Sequence, residues 1–473
     1  MRVLLINPPS TAPNPILPLG LAYLAAALEE ARIEVDVIDA WVERYSQEAL
    51  AEQIRRRAPD LVGVTVMSPT YGSAMRTVDT VRNNSTAKIL VGGPHPSALP
   101  EQCLTDNEAI DFVITGEGEK PLVLLVSALQ NGGDLSGISG LIYRDGSRIV
   151  NNGPGNAIEK LDDLPLPARH LFPVHKYKTH PPYGKKNPYT TLITSRGCPF
   201  HCTYCSKSVF GRKYRAMSPP RVVAEIRHIV DKYGIREIHF YDDDFTIDMK
   251  RAEKICDLLI EEGIDISWSC TTRVDLVNAN LLDKMKRAGC WLISYGVETA
   301  DPEILKGIRK GYTMENVKDA FRLTRNAGLR TIAFLMVGLP GETEETLRRT
   351  IGFSLALNPD FVSWGITASY PGSELYETGI KQGLGFRHVP HAGANGNGDG
   401  HASGSPYGDG YAVLYKGAFT RAELEKWVKG ANRKFYLRPS YIAKRLLSLR
   451  STHEFTHYMK EGWRSFCWML DRG

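Results

Sequence analysis

A chain of 473 residues is longer than one hydrophobic core usually supports, and it predicts about three domains. Its 42% hydrophobic and 23% charged residues are typical of a globular protein, and a net charge of +5 gives little support to a nucleic-acid partner. No stretch reaches the roughly 18 to 20 apolar residues that span a bilayer.

The first residues, "MRVLLINPPS", contain an apolar run of about five residues that stops at Pro8 and Pro9. A secretory signal needs a longer apolar core followed by a small-residue cleavage site. The segment is therefore predicted to be a buried strand, and the protein to be cytoplasmic.

Residues 1–140 alternate short apolar runs with amphipathic helical patterns. The runs are "RVLLINPP", "VDVIDA", "LVGVTVMS", "KILVGGPH" and "DFVITGEGE". That alternation predicts an α/β domain with an open, parallel, doubly wound, Rossmann-like sheet. Such sheets bind ligands at the carboxyl ends of their strands. The residues at these predicted ends include Asn7, Pro8, Ser68, Pro69, Gly92, Gly93, Gly116 and Gly118.

The rest of the chain divides by its pattern into four segments. Residues 141–188 are rich in Pro, Asn and Gly and predict a connector. Six strand–helix repeats follow in residues 189–388, which predicts a partial (β/α)6 barrel of parallel strands. The Gly-rich residues 389–411 predict a surface loop or linker, with a lid over the active site as the alternative. Residues 412–473 predict a mostly helical C-terminal segment.

Three cysteines, Cys198, Cys202 and Cys205, directly follow the first predicted barrel strand. A structural zinc site needs four ligands, and a redox Cys-x-x-Cys pair would not need Cys198. Three thiolates on one loop suit a [4Fe–4S] cluster in which one iron lacks a protein ligand and stays open to a cosubstrate. Two alternatives remain, namely a zinc site completed by a distant ligand such as His201 or Cys270, and a chance grouping.

The other five cysteines are scattered singly along the chain. In a reducing compartment they are predicted to be buried apolar residues. They are Cys103, Cys256, Cys270, Cys290 and Cys467.

The cysteine spacing, with Tyr204 directly before the third cysteine, resembles the radical S-adenosylmethionine superfamily over residues 189–388. The resemblance implies that the open iron chelates the amino and carboxylate groups of S-adenosylmethionine. An electron from the cluster then cleaves the S–C5′ bond, giving methionine and a 5′-deoxyadenosyl radical that abstracts hydrogen from the substrate. A reductant such as flavodoxin or ferredoxin is implied as a partner.

The resemblance also implies cosubstrate contacts at the ends of three further barrel strands. In "YDDDF", Asp243 or Asp244 would accept from the methionine ammonium. In "SCTTRVD", Arg273 would reach a carboxylate, and in "SYGVET", Glu298 would bind the ribose hydroxyls. For each residue the alternative is an ordinary solvated charge at a strand end.

Two more contacts are implied around the adenine. "FLMVGLPGET" resembles the family's fifth-strand segment, and its Gly338 and Gly341 would permit close backbone approach. The backbone of Tyr204 would lie near the same base. The alternatives are turn glycines and a core aromatic residue.

Residues 1–140 resemble the cobalamin-binding domain that often precedes such a barrel. The wider family carries Asp-x-His-x-x-Gly, then Ser-x-Leu, then Gly-Gly. Here "SPT" at residues 68–70 stands for the second element, with Ser68 and Thr70 as candidate contacts, and Gly92 and Gly93 form the third.

The first element, which supplies the histidine ligand of cobalt, is absent after the first strand. Bound cobalamin is therefore expected to lack a histidine lower ligand. His95 is a candidate ligand of cobalt, but a residue at a strand end more often hydrogen-bonds locally. A flavodoxin-like domain without a ligand is the competing interpretation.

Together these resemblances imply a cobalamin-dependent radical S-adenosylmethionine enzyme that acts at an unactivated carbon. Methyl transfer is the leading reaction: methylcobalamin would donate to a substrate radical, and a second S-adenosylmethionine would remethylate cob(I)alamin. The alternative is a non-methylating cyclase, rearrangement or oxidoreductase.

Two other classes fit the sequence less well. A transfer-RNA methylthiotransferase needs a second three-cysteine set in its N-terminal domain, where this chain has only Cys103. A non-enzymatic cobalamin or iron–sulfur sensor would not need the barrel strand-end residues.

Residues 421–450 mix aromatic, aliphatic and basic side chains. This pattern fits a helix lying on an anionic membrane surface, which would suit a lipid substrate rather than a soluble small molecule. The alternative is a C-terminal helix that packs on the barrel and exposes a basic face.

Overall fold

The computed structural model describes residues 1–12, 14–179, 184–382 and 418–448. The Gly-rich segment predicted at residues 389–411, the part of the C-terminal segment after residue 448, and Cys467 lie outside these described residues.

The first sheet has seven strands in the order β2-β1-β3-β4-β5-β6-β7. Strands β1 to β5 run parallel, and β6 and β7 are antiparallel additions at one edge. The strands are β1 Arg2–Asn7, β2 Glu34–Asp39, β3 Leu61–Thr65, β4 Lys88–Gly92, β5 Phe112–Ile114, β6 Leu141–Asp145 and β7 Arg148–Asn151. The helices of this domain are α1 Leu19–Glu30, α2 Ala40–Glu43, α3 Gln47–Arg57, α4 Tyr71–Asn84, α5 Pro94–Ala98, α6 Pro100–Asp106 and α7 Glu119–Asn131.

Apolar runs form the interior strands because helices cover both faces of the sheet. Val3, Leu4, Leu5 and Ile6 of β1 are all buried, and they divide alternately between two separate core clusters. The strand order reverses between β1 and β3, and such a reversal opens a ligand crevice at the carboxyl ends of the strands.

The sequence predicts a connector from residue 141, but Leu141–Asn151 instead continues the first sheet as the β6–β7 hairpin. Its two-residue turn is Gly146 and Ser147, and Gly146 has φ +60°, a left-handed conformation that glycine adopts without steric cost. The short 3₁₀ turns Leu161–Asp163, Arg169–Leu171 and Val174–Lys176 follow.

The second sheet has six strands, all parallel, in the order β15-β14-β13-β12-β11-β8, and it confirms the predicted partial barrel. The strands are β8 Thr190–Leu192, β11 Glu237–Phe240, β12 Ser267–Thr272, β13 Cys290–Glu298, β14 Arg330–Val337 and β15 Phe361–Ile366. The helices are α8 Pro219–Tyr233, α9 Met249–Glu261, α10 Ala279–Arg287, α11 Pro302–Gly307, α12 Met314–Asn326, α13 Glu344–Leu357 and α14 Glu374–Lys381.

A small antiparallel ribbon lies between the first two barrel strands. It pairs β9, Ser195–Arg196, with β10, Arg215–Ala216. Residues 197–214, here called the cysteine loop, connect the two strands, so the ribbon is the stem of the loop that carries all three clustered cysteines.

Two C-terminal helices, α15 Arg421–Tyr436 and α16 Pro439–Ser448, pack beside the edge strand β15. The hydroxyl of Tyr436 donates to the Val362 carbonyl at 2.6 Å and accepts from the Val362 amide at 3.0 Å. The apolar face of α15, including Leu424, Val428 and Phe435, is buried. This is the packing that the alternative to a membrane-surface helix predicts.

Helix α16 leaves more apolar surface in water, because Ile442 is 43% and Leu447 is 87% exposed. None of the helices in the described ranges has the length and apolar character needed to cross a bilayer.

The connector is fastened to the barrel by a buried ion pair. The Arg169 guanidinium donates to Glu225 of α8 at 2.7 Å and to the Thr191 carbonyl at 3.0 Å, and both side chains of the ion pair are at most 1% exposed.

Replacing Glu225 with Gln leaves the Arg169 cation buried without its counter-ion. We expect the free energy of unfolding to fall by about 3 to 5 kcal/mol in anaerobic urea titrations. Replacing Glu315 of the exposed Lys318–Glu315 pair with Gln should cost at most about 1 kcal/mol. Equal losses from the two variants would contradict this account.

Candidate active site

The cysteine loop begins at a position that only glycine fits. Gly197 has φ +85°, and a Cβ there would lie 2.3 Å from the carbonyl oxygen of Lys213. Further along, the Thr203 amide donates to the Ile308 carbonyl at 3.2 Å, and the Thr203 carbonyl accepts from the Leu375 amide at 2.9 Å. These contacts fix the loop between α11 and α14 at the mouth of the barrel.

The three thiols are electrostatic neighbours. Burial raises the pKa of the Cys205 thiol; Lys207 opposes that shift, whereas Asp243, Cys198 and Cys202 add to it. Among the described residues, no three Cys, His, Asp or Glu side chains converge in a way that would hold a single metal ion. A [4Fe–4S] cluster does not require such convergence, because its cysteines bind different irons.

The surroundings of both proposed fourth ligands disfavour the zinc alternative. His201 Nδ1 is contacted by the Arg212 guanidinium, whose charge disfavours a metal cation at that nitrogen. Cys270 is fully buried in β12 beside Cys290, within the barrel core. Cys103 and Cys256 are buried as well, so the prediction of buried apolar cysteines is confirmed for the four that the structure describes.

The three consecutive aspartates after β11 differ in their exposure to solvent and in their contacts. Asp242 is buried and accepts from the Thr194 hydroxyl at 2.8 Å and from the Ser195 hydroxyl. Asp243 is solvent-accessible but closely surrounded: desolvation raises its pKa, while Lys207 and the Gly197 amide lower it. Asp243 therefore faces the loop from an accessible position.

Asp244 lies inside the barrel and is buried. It accepts from the Thr272 hydroxyl at 2.6 Å and from the Arg273 amide at 3.4 Å. Its Oδ2 finds no hydrogen-bond partner within the described part of the chain, and burial raises its pKa to about 6. A buried acceptor without a donor is the feature expected of a site that a ligand completes.

Arg273 is less available for a cosubstrate carboxylate than the resemblance implies. Its Nε and Nη2 bind the Asp275 carboxylate at 2.9 and 2.8 Å, and Nη2 also donates to the Lys310 carbonyl at 2.7 Å. The guanidinium lies 3.6 Å from the ring centroid of Phe200, which is in the cysteine loop. Arg273 therefore supports the loop, and its Nη1 is the atom left without a partner among the described residues.

Glu298 is at the end of β13 in a left-handed conformation, φ +62°. Its Oε1 accepts from the Tyr204 hydroxyl at 2.9 Å and lies 2.9 Å from Lys310 Nζ. Burial and then the Glu298 charge raise the pKa of Tyr204. Burial alone would lower the pKa of Lys310, but Glu298, together with Tyr312, Tyr204 and Cys202, outweighs burial, and the pKa lies above its usual value. The result is a buried cluster that joins the cysteine loop to β13.

Lys310 is a site residue that the sequence does not identify. It lies in the turn after α11, where no periodicity or motif marks it, and only the fold brings it to Glu298.

Replacing Lys310 with Met removes a charge-assisted bond worth about 1.5 to 3 kcal/mol. If Glu298 binds the ribose, the dissociation constant of S-adenosylmethionine should rise roughly 10- to 100-fold, as measured calorimetrically on the reconstituted protein. Lys318→Met, on the outer surface of α12, is the control. Unchanged affinity in Lys310→Met would argue against a ribose role for Glu298.

Gly338 has a structural reason to be glycine besides the implied adenine contact. Its φ is +83°, and a Cβ would lie 2.8 Å from a methyl group of Leu424 in α15. Its amide donates to Glu342, whose pKa burial raises to about 7. The contact of Gly338 with adenine stays a prediction.

The carboxyl edge of the first sheet holds Ser68 and His95 together. The Ser68 hydroxyl lies 3.0 Å from His95 Nδ1, and the His95 ring packs on Tyr71 with centroids 4.4 Å apart. His95 is 0% exposed, and burial lowers its pKa to about 4, so the ring is neutral. Local hydrogen bonding, the alternative to cobalt ligation, is what the structure shows.

The two glycines at the carboxyl end of β4 differ in whether their backbone requires glycine. Gly93 has φ +112°, and a Cβ would meet the Val66 carbonyl at 2.9 Å, so its own backbone requires glycine. Gly92 is half-buried, and a Cβ there would meet nothing closer than the Ile114 carbonyl at 3.6 Å. The Gly92 position therefore tolerates a Cβ at ordinary contact distance, and the missing side chain leaves there the room that a cofactor tail would need.

A cavity of about 510 Å³ lies at the carboxyl ends of β1, β2 and β3. Thr70 lines it together with Ser10, Trp41, Tyr45 and Arg76. The neighbouring Met67 is 50% exposed, so this edge presents both apolar and polar groups to a ligand.

The carboxyl edge of the first sheet faces the cysteine loop directly. A second cavity, about 440 Å³, lies between Gly116 and Glu117 on one side and Lys207 and Phe210 on the other. The Ser208 hydroxyl bridges the two domains by donating to the Pro94 carbonyl at 3.1 Å. The carboxyl ends of both parallel sheets thus meet at the cysteine loop.

Comparison with known families agrees with this two-part arrangement. The family model described as the radical SAM superfamily matches residues 192–354, and the B12 binding domain model matches residues 10–126. Each match lies within the corresponding predicted domain.

Two relatives cover most of the chain. An uncharacterized methyltransferase, PH0819, of Pyrococcus horikoshii is 34% identical over 94% of this chain and 94% of its own length. An anaerobic magnesium-protoporphyrin IX monomethyl ester cyclase of Cereibacter sphaeroides is 30% identical over 89% of this chain and 67% of its own.

Among solved structures, the radical S-adenosylmethionine methyltransferase TsrM from Kitasatospora setae, with cobalamin and a [4Fe–4S] cluster bound, has the same fold. It superposes with a TM-score of 0.72 over 93% of this chain and 89% of TsrM, at 22% identity. The predicted fold class, enzyme class and cofactor set are confirmed at the level of the family. The chain belongs to the radical S-adenosylmethionine enzymes that carry an N-terminal B12-binding domain.

Proposed function

We propose that this enzyme transfers a methyl group to an unactivated carbon of a small-molecule substrate, using cobalamin, a [4Fe–4S] cluster and S-adenosylmethionine. The observation that carries the proposal is the position of the cysteine loop, between the carboxyl ends of a cobalamin-type sheet and of a radical-enzyme barrel. The residues present fit both cofactors. Three thiols on one loop fit the cluster, and Gly92 and Gly93 at the carboxyl edge of the first sheet fit cobalamin.

When bound, the cluster with S-adenosylmethionine supplies a 5′-deoxyadenosyl radical, and cobalamin supplies the methyl group. The chain's own part is to bind and orient. Cys198, Cys202 and Cys205 hold three irons. Asp243, the accessible carboxylate beside the loop, accepts from the methionine ammonium, and Asp244 supports it from within the barrel.

The remaining cosubstrate contacts come from residues that are already held in place. Glu298 is fixed on one oxygen by Tyr204 and Lys310, which leaves its other oxygen for the ribose hydroxyls. Arg273 offers Nη1 to a carboxylate while its other nitrogens support Phe200. The backbone of Gly338, directly after β14, lies along the adenine, and the backbone of Tyr204 lies near the same base.

On the first domain, Gly92 and Gly93 leave room for the nucleotide tail of cobalamin, with Thr70 at the rim. Ser68 keeps hydrogen-bonding capacity for the ligand, because a hydroxyl has one donor and two acceptor sites and His95 uses one. His95 is enclosed, so we propose that cobalt has no histidine ligand from this edge.

The reductant is proposed to be a flavodoxin or ferredoxin, and the protein to be cytoplasmic. A lipid substrate with membrane contact through residues 421–450 is the less favoured substrate class, because the apolar face of α15 packs on the barrel. A small-molecule substrate without nucleic acid is favoured.

A second candidate, a non-methylating cyclase-type reaction, is supported by the Cereibacter sphaeroides relative. Both reactions would use the same cofactor residues, so the fate of the methyl group distinguishes them.

The test uses reconstituted protein, hydroxocobalamin, a low-potential reductant and S-adenosylmethionine with a deuterated methyl group. Methyl transfer predicts S-adenosylhomocysteine and recovery of the label in the extracted corrinoid. The cyclase-type alternative predicts 5′-deoxyadenosine without S-adenosylhomocysteine. Formation of neither product would reject both.

A further inference from the structure

The stem of the cysteine loop carries two arginines that face each other. Arg196 of β9 and Arg215 of β10 are direct partners in the antiparallel ribbon. Like charges placed opposite each other in a ribbon repel and favour its opening. Both side chains are nearly fully buried, so water does little to screen the repulsion.

A single carboxylate from the other domain lies between these two cations. Glu117 Oε2 accepts from Arg196 Nη1 at 2.5 Å, and Glu117 Oε1 lies 2.6 Å from Arg215 Nη1. Arg196 also donates to Glu119 at 2.6 Å. Two positive and two negative groups thus form a buried network without net charge.

The network reaches three parts of the molecule. Glu117 lies in "GEGE", shortly after the end of β5 at Ile114, at the carboxyl edge predicted to bind cobalamin, and it lines the cavity between the domains. The Arg196 guanidinium lies 5.3 Å from the ring centroid of Tyr23 in the first domain and 5.2 Å from that of Phe210 in the cysteine loop. Arg215 donates to the Ile158 carbonyl of the connector at 2.5 Å.

We infer that Glu117 is a positioning residue through which the B12-binding domain holds the stem of the cysteine loop closed, and with it the iron–sulfur cluster. The inference rests on the proposed role of Cys198, Cys202 and Cys205 as cluster ligands. Glu117 touches none of the three thiols itself and acts only through Arg196 and Arg215. A change in one domain therefore alters cluster retention in the other.

The test is the rate at which iron is lost to an excess of a ferrous chelator after anaerobic reconstitution of the full chain. Loss of a supporting residue beyond the ligands typically weakens metal binding about 10- to 100-fold, so Glu117→Gln should release iron at least about tenfold faster than the wild type. The electron paramagnetic resonance spectrum of the reduced cluster should also change. Glu117→Asp, which keeps the charge, should restore part of the retention.

The matched control is Glu225→Gln, which breaks another nearly fully buried Arg–Glu pair, outside the cysteine loop. It should destabilise the fold but leave the rate of iron release and the spectrum of the cluster as in the wild type. Equal iron release from Glu117→Gln and Glu225→Gln would overturn the inference. A wild-type chain that takes up no iron would instead overturn the proposed function.

If Glu117→Gln does not fold, Glu117→Asp is measured in its place. Its carboxylate keeps the charge, but a side chain shorter by one methylene reaches Arg196 and Arg215 less well. Iron release faster than in Glu225→Gln is expected, because the two cations of the stem are then held less closely. Release at the wild-type rate would overturn the inference.

Discussion

Replacing Cys198, Cys202 and Cys205 together with alanine is expected to remove all iron from the reconstituted protein and to abolish 5′-deoxyadenosine formation. The described residues provide no alternative cluster of metal ligands that could retain the irons. Without the cluster, no electron reaches S-adenosylmethionine. Iron analysis and product chromatography on the same sample measure both effects.

The control for this triple variant is Cys256→Ala, which removes a buried thiol from α9. Its iron content should equal that of the wild type, whereas its stability should fall by about 1 to 2 kcal/mol because a cavity replaces the sulfur. Iron retained by the triple variant would contradict the assignment of the three cysteines.

Replacing Gly92 with Val should remove cobalamin binding while the fold persists. The backbone there does not require glycine, a Cβ would make only an ordinary contact with the Ile114 carbonyl at 3.6 Å, and a β-branched residue suits a strand. The added methyl groups would occupy the space proposed for the cofactor tail. Overpacking of about 2 kcal/mol weakens binding roughly 30-fold, which equilibrium titration with hydroxocobalamin would detect.

Gly137→Val provides the control, because Gly137 is exposed in the same domain with nothing near its Cβ position. It should bind cobalamin as tightly as the wild type. Full affinity in Gly92→Val would show that the tail does not enter over Gly92, and the site would then have to be sought elsewhere along the edge.

The fold was largely predictable because two long alternations of strand and helix specify two parallel sheets. The error concerned Leu141–Asn151, predicted as connector and found as the β6–β7 hairpin. A local signal for it exists in "YRDGSRIV", where Gly-Ser separates two strand-like runs. The Gly- and Pro-rich residues that follow obscured that signal.

The candidate site was predictable where its chemistry is local in sequence. The spacing of three cysteines within one loop is enough to predict an iron–sulfur site. Residues at strand ends are predicted to lie together because parallel strands end at one edge of the sheet. Other features depend on tertiary packing. They are the hydrogen-bond partners of Arg273, and charged residues such as Lys310 and Glu117 that reach the site from other elements. No spacing rule in a single sequence brings Glu117 to Arg196, so such residues emerge only from the structure.

The most direct test of the account is metal analysis, with an optical spectrum, of protein purified anaerobically, reconstituted with iron and sulfide and supplied with hydroxocobalamin. About four irons and about one cobalt per chain are expected, matching one [4Fe–4S] cluster and one cobalamin. Iron without cobalt would contradict the central claim, because the B12-binding domain would then have another role and methyl transfer through cobalamin would have to be abandoned.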